Sequence, residues 1–93
     1  MGKFRIEVKP EAQKDLAKHY KSGNKANIKK IETFLVELSK HPYTGTGKPE
    51  LLKHDMAGYW SRRINHTDRL IYSVSEKTVT VEVVSAIGHY TDK

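Results

Sequence analysis

Two runs hold most of the reactive chemistry of this chain: Gly45-Thr46-Gly47-Lys48-Pro49-Glu50-Leu51-Leu52-Lys53-His54 and Gly58-Tyr59-Trp60-Ser61-Arg62-Arg63-Ile64. Arg69 and the late pair His89-Tyr90 follow. Arginines fork onto phosphate oxygens and lysines act as point charges, so Arg62, Arg63, Lys48 and Lys53, with His54 beside them, suit a polyanion groove. Tyr59, Trp60 and Tyr90 offer flat faces on which unpaired bases can stack. Glu50 is the odd member, because a carboxylate weakens the binding of a polyanion. Acid–base catalysis gives it a use. RNA carries its own nucleophile, the 2′-hydroxyl. Its cleavage needs a base for that proton, a cation on the crowded phosphate and an acid for the departing 5′-oxygen. Glu50, Arg69 and His89 are of the types that fill these roles with no metal and no cofactor. Each proton-transfer group is typically worth about 10²–10⁴-fold in rate.

Every one of these residues also has a plainer reading. A glutamate after proline is usually solvated or caps a turn. A histidine after glycine near a C-terminus is usually surface. Arg62-Arg63 can be a charged strand edge that discourages aggregation. Trp60 and Tyr72 are core aromatics more often than stacking platforms, and Lys29-Lys30 reads as a wet helix face. His19, His41 and His66 are assigned no functional role. Composition and spacing by themselves reach a basic α+β domain with the means to bind RNA, and no further.

The elements that must position these groups can be read from periodicity. Ninety-three residues make one domain, with 37% hydrophobic and 30% charged residues, so the core is small. Residues 1–41 read as a strand plus a helical hairpin, 42–58 as a catalytic loop, 59–90 as a three-stranded meander and 91–93 as a short tail. In the first strand Phe4, Ile6 and Val8 alternate with Arg5 and Glu7. Pro10 opens a helix whose Ala12, Leu16 and Tyr20 predict an inward stripe. Ser22-Gly23-Asn24 ends it and starts the next, where Ile28, Ile31, Leu35 and Leu38 recur with Phe34 alongside. Pro42 terminates that helix. The loop after it has no periodicity, and one helical turn is expected over residues 49–53. Strands follow over 59–64, 70–75 and 79–87. Parity then turns Leu70, Tyr72 and Val74 towards the helices and Arg69 and Ser73 away from them. Ser61 and Arg63 share the open face with Arg69. Arg62 falls on the covered side and is expected at an edge. Arg69 begins its strand and His89 lies just past the end of the next, so both belong to the same end of the sheet.

The formal charge of +6 favours capture of polyanions, though an anionic membrane or an acidic protein would be attracted equally. With no cysteine there are no disulfides or thiolate metal sites, and the five histidines show no ligand spacing. No apolar leader segment opens the chain and no run approaches a membrane span, so a cytoplasmic protein without a membrane partner is expected.

The two runs, together with Arg69-Leu70, Tyr72 and His89-Tyr90, resemble the YoeB/Txe branch of the RelE/ParE toxin superfamily. In that family the pattern reads G-x-G-K-P-E-x-L-K-H, G-x-W-S-R-R-I, H-R-L-x-Y and a terminal H-Y. The match runs from Pro42 to Tyr90, and the first forty residues agree only in pattern. This chain has Asp68 where the family often has histidine before the arginine and Leu51 where proline is frequent, and Thr91-Asp92-Lys93 follow the final tyrosine.

The resemblance implies a RelE-like β-α-α-β-β-β fold of class α+β: a small, mostly antiparallel twisted sheet with a two-helix hairpin packed on one face. It implies a type II toxin–antitoxin toxin that cuts mRNA in the ribosomal A site, is neutralised by a YefM-like antitoxin of the Phd/YefM family and can form a homodimer. The family's general base then falls on Glu50, its phosphate-stabilising arginine on Arg69 and its general acid on His89. Lys53, Arg63 and Tyr90 fall on residues that position RNA or support the transition state. The implied products are a 2′,3′-cyclic phosphate and a 5′-hydroxyl, formed without metal. Two alternatives stay open: a non-cleaving inhibitor on the RelE/ParE fold, and an RNA-binding module without chemistry.

Overall fold

The computed structural model describes residues 3–88. The chain runs β1 (Arg5–Val8), α1 (Pro10–Ser22), α2 (Lys25–Lys40), β2 (Glu50–Leu51), a 3₁₀ turn (His54–Met56), β3 (Tyr59–Arg63), β4 (Arg69–Ser75) and β5 (Thr80–Ser85). One five-stranded sheet has the order β1-β5-β4-β3-β2. β1 runs parallel to β5, and every other pairing is antiparallel. The parallel pairing follows from the crossover: the helical hairpin carries the chain across one face before the meander returns it beside its start.

The helices begin and end where local chemistry dictates. Pro10 starts α1, and Gly23 closes it in the left-handed conformation at φ 72°. Asn24 caps α2 by accepting the Asn27 N–H at 3.1 Å. Between helices and sheet lies a core of Ala12, Leu16, Ile31, Phe34 and Leu38 from the helices, set against Leu70, Tyr72, Val81 and Val83 from the strands. Backbone N–H groups of Lys3 and Phe4 donate to the Ser39 carbonyl, tying the start of the chain to the end of α2. Among the described residues no helix is long and apolar enough to cross a membrane.

Two local expectations change. Tyr20 is 44% exposed, and the inward face of α1 is Ala12, Asp15, Leu16 and His19. The inward stripe therefore carries two polar groups. In the loop, Glu50 and Leu51 are extended and pair with Ser61 and Trp60, while the helical turn sits at His54–Met56. Pairing with β3 holds this pair extended, and a two-residue strand is too short to show alternation.

The pairing of β4 with β5 carries one irregularity. Tyr72 pairs with Val83 but Ile71 pairs with Ser85, so Val84 is an extra residue on β5. Before this β-bulge, Val81 and Val83 face the helices. After it, Ala86 joins the core and Ser85 lies opposite Ile71 on the other face.

Candidate active site

The register places Glu50 opposite Ser61, Ser61 opposite Ile71, and Ile71 opposite Ser85, a row that crosses four strands. Trp60, Leu70 and Tyr72, which alternate with these residues, face the helices, so the row lies on the open face. Arg63 stands directly opposite Arg69 in the next row on that face. Neighbouring side chains on one face of a sheet are about 5 Å apart when directly opposite and about 7–8 Å apart on the diagonal. Glu50 therefore lies diagonally across from Arg63, with Arg69 one strand beyond. The buried side chains Ser61, Ile71 and Ser85 floor this face, and the two serine hydroxyls have no hydrogen-bond partner among the described residues.

The loop delivers Glu50 to this face through backbone bonds at both ends. Arg63 N–H donates to the Gly47 carbonyl at 2.8 Å, and Leu52 N–H donates to the Tyr59 carbonyl at 2.8 Å. Leu52 is buried and anchors the hairpin, while Glu50, Lys48, Lys53 and His54 remain exposed. Lys48 and His54 both adopt positive φ, 50° and 56°, which marks the sharp bends on either side of β2. The parity reading of Ser61, Arg63 and Arg69 thus agrees with the register. Arg69 N–H donates to the Gly88 carbonyl at 2.9 Å, so the last described residue lies beside the start of β4. His89 and Tyr90 lie outside the described residues, as does the tail Thr91-Asp92-Lys93.

Arg62 is not at an edge and presents nothing to RNA. Its side chain is fully buried. Its Nε donates to the Tyr72 hydroxyl, its Nη1 to Glu37 and the Thr46 carbonyl, and its Nη2 to the carbonyls of His41, Pro42 and Thr44. The loop over residues 41–47 folds around this one guanidinium, which stands in for a core the loop's own sequence cannot provide. Tyr72 donates to Pro42 O at 2.7 Å and closes the ring of bonds. Burial works against the Glu37 charge. Bonds from Thr46 N–H, Arg62 and the Thr46 hydroxyl outweigh it and hold the carboxyl below its ordinary range. Burial also pushes the Tyr72 hydroxyl up, against the pull of Arg62.

Trp60 likewise moves out of the RNA-facing set. It packs on the core from the helix face, with its ring 5.3 Å from that of Tyr43. Sequence reasoning missed Glu37, which lies on α2 and meets Arg62 across the fold. It also missed Asp15, His19 and Asp68, which hold the chain just before His89. Asp15 and His19 one turn apart beside Leu16 were the available signal, because a polar pair on an apolar stripe needs partners. Among the described residues no group of three or more histidines and carboxylates is arranged to hold a metal ion.

Comparison with known proteins decides the family. Residues 8–90 match the model of the YoeB-like toxin of the bacterial type II toxin–antitoxin system. The chain belongs to this family. Toxin YoeB of Streptomyces coelicolor is 38% identical over 72 residues, which is 77% of this chain and 83% of that relative. The YoeB/ParE toxin from Agrobacterium tumefaciens superposes with a TM-score of 0.82 at 33% identity, covering 94% of this chain and 100% of that one. The Staphylococcus aureus YoeB dimer gives a TM-score of 0.78 at 36% identity, covering 95% of this chain and 99% of that one. The YoeB–YefM complex from the same organism gives 0.76 at 38% identity, covering 94% and 98%. The open-face row is thus a feature of a YoeB-like toxin, and the α+β architecture is shared with structures of that group.

Proposed function

We propose that this toxin is a metal-independent endoribonuclease that cleaves mRNA in the ribosomal A site and so arrests translation. The observation that carries this reading is the placement of Glu50 diagonally from the directly opposed pair Arg63 and Arg69 on one open sheet face. Glu50 takes the proton of the 2′-hydroxyl as its oxygen attacks the adjacent phosphorus. Arg69, helped by Arg63 across the strand pair and by Lys53 and Tyr90, neutralises the charge that gathers on the phosphoryl oxygens. His89 delivers a proton to the departing 5′-oxygen. The products are a 2′,3′-cyclic phosphate and a 5′-hydroxyl. Lys48 and His54, exposed on the bends around β2, attract the RNA backbone.

The natural counterpart is a YefM-like antitoxin, and a basic surface suits an acidic partner chain. The toxin also forms a homodimer in this reading. Both inferences are supported by the Staphylococcus aureus relative, solved as a dimer and with YefM. The deciding experiment incubates the purified chain with translating ribosomes and maps mRNA ends. Cutting is expected in the parent. In Glu50→Gln and His89→Gln it should slow by about 10²-fold or more. Undiminished cutting in both variants, or none in the parent, overturns the reading. Ribosome binding without cutting in the parent would instead favour a non-cleaving inhibitor.

A further inference from the structure

The backbone that leads into His89 is held by side chains that never touch the open face. Asp15 Oδ2 accepts the Ala86 N–H at 2.9 Å. One helical turn on, His19 Nε2 lies 2.8 Å from the Ala86 carbonyl. A carbonyl can only accept, so His19 Nε2 carries the proton and donates. Asp68 Oδ1 accepts the Gly88 N–H at 2.9 Å, and the Gly88 carbonyl accepts from Arg69 N–H at the same distance. Both backbone polar groups of Ala86 and of Gly88 are therefore bonded, by α1 on one side and the β3–β4 turn on the other.

This arrangement is not the simplest way to fasten a strand exit. Asp15 is 9% and His19 6% exposed, on the same helix face as Ala12 and Leu16. Leucine at either position would extend the apolar stripe and avoid the cost of burying polar groups. Apolar packing, however, tolerates sliding and rotation, whereas a donor–acceptor pair on each side of one residue fixes both. Asp68 is itself held in place: Asn65 Nδ2 donates to its Oδ2 at 3.1 Å, and Asn65 Oδ1 accepts the Asp68 N–H at 2.8 Å. Gly88 adopts φ 79°, so the chain turns there in a conformation open to few other residues.

We propose that Asp15, His19 and Asp68 form a backbone clamp that aims the chain into His89, and that they are positioning residues for proton delivery to the leaving group. The inference rests on the ribonuclease reading. A displacement of about 1 Å at a reacting group can cost about 10²-fold in rate. Asp15 and His19 act only on the acid's side of the reaction, because they bond none of Glu50, Arg63 and Arg69. Asp68 adjoins Arg69, whose N–H bonds the Gly88 carbonyl, and serves both sides.

The test compares Asp15→Leu, His19→Leu and Asp68→Ala with the conservative Asp15→Asn, His19→Gln and Asp68→Asn. The first group deletes the clamp; the second keeps an acceptor or donor in reach. Cleavage of ribosome-bound mRNA is followed at saturating and limiting toxin. The same series is run on mRNA with sulfur in place of the departing 5′-oxygen, a leaving group that needs no proton. Clamp-deleted variants are expected to lose about 10–100-fold in kcat with KM unchanged, and the conservative ones to recover most of it. On the sulfur substrate the Asp15 and His19 variants should match the parent. Equal losses on both substrates in the Asp15 and His19 variants, or full kcat in the clamp-deleted variants, overturn the proposal while parental cleavage leaves the ribonuclease reading standing. Should a leucine variant fail to fold, Asp15→Ala and His19→Ala, which remove the same bonds without added bulk, decide it. A parent that cuts neither substrate overturns both readings together.

Discussion

Arg63 and Arg69 stand directly opposite one another across β3 and β4, on the face turned from the helices. Like charges in that position destabilise a sheet by roughly 0.2–1 kcal/mol. The free protein carries this repulsion, and under the proposed function a phosphate between the two strands would relieve it. Arg63→Thr is therefore expected to raise the urea midpoint slightly while weakening single-stranded RNA binding. The slope of log affinity against log salt should become shallower by about 0.7 for each arginine removed. Measuring both quantities on one variant checks the trade; loss of stability would show that the pair is not strained.

Arg62 and Glu37 support a second expectation. Removing one partner of a buried ion pair typically costs about 3–5 kcal/mol. Arg62→Ala should approach that figure in urea denaturation, because it also leaves the carbonyls of His41, Pro42, Thr44 and Thr46 without this donor. Arg62→Lys should rescue little, since one ammonium cannot span acceptors arranged around a planar fork.

Gly47 offers a steric test of the same loop. Its φ is 81°, and a Cβ there would sit 2.5 Å from Phe34 Cζ, a buried ring with no room to yield. Overpacking of this kind costs about 1–3 kcal/mol, added to the left-handed backbone cost of about 1–2 kcal/mol. Gly23→Ala is the control, because φ is 72° but no atom lies within 4 Å. Its denaturation midpoint should fall by the backbone cost alone.

Stability should also respond to pH at both extremes. Glu37 and Asp68 are each opposed by burial yet held below their ordinary range, Asp68 chiefly by the Gly88 N–H and the Asn65 amide. A depressed carboxyl stabilises the fold above its unfolded pKa, and that contribution is lost as pH falls through the folded value. The urea midpoint should be level above about pH 5 and decline below about pH 4, less steeply in Glu37→Gln relative to its own plateau. At the other end Tyr43 is pushed up to about 12, first by its bond to Glu76 and then by burial. A raised tyrosine stabilises below its unfolded pKa near 10, with loss as pH rises from there towards about 12. Absorbance titration should show one tyrosine moving back towards 10 in Glu76→Gln.

The strands and the open face were legible because period-two alternation survives in Leu70, Tyr72 and Val74, and parity needs nothing more. The loop was not. Its structure comes from Arg62, a charged residue on a covered strand face, and sequence patterning assigns such a residue to an edge because burial of a lone guanidinium is so costly. What offsets that cost is a set of carbonyls with no side-chain signature. The clamp was hidden for a different reason. Asp15 and His19 meet Ala86 across separations of 71 and 67 residues, and Tyr20 at the expected helical spacing drew the inward stripe away from them. Glu50, Arg69 and the resemblance to YoeB-like toxins were readable from identity alone; the row that relates Glu50 to the arginines required the register.

The bulge at Val84 gives β5 one residue more than its pairing uses. Upstream of it odd-numbered residues of β5 face the helices, and immediately downstream Ser85 does not. Deleting Val84 would remove one ordinary aliphatic residue from a partly exposed position. Ser85 would then follow Val83 directly, still opposite Ile71 and on the same face, and Ala86 would still turn towards α1. What the fold cannot accept is a slip: were Val84 to pair with Ile71, Ser85 would turn to the helices and Ala86 away from them, so the strand is lenient about spelling and count and strict only about register.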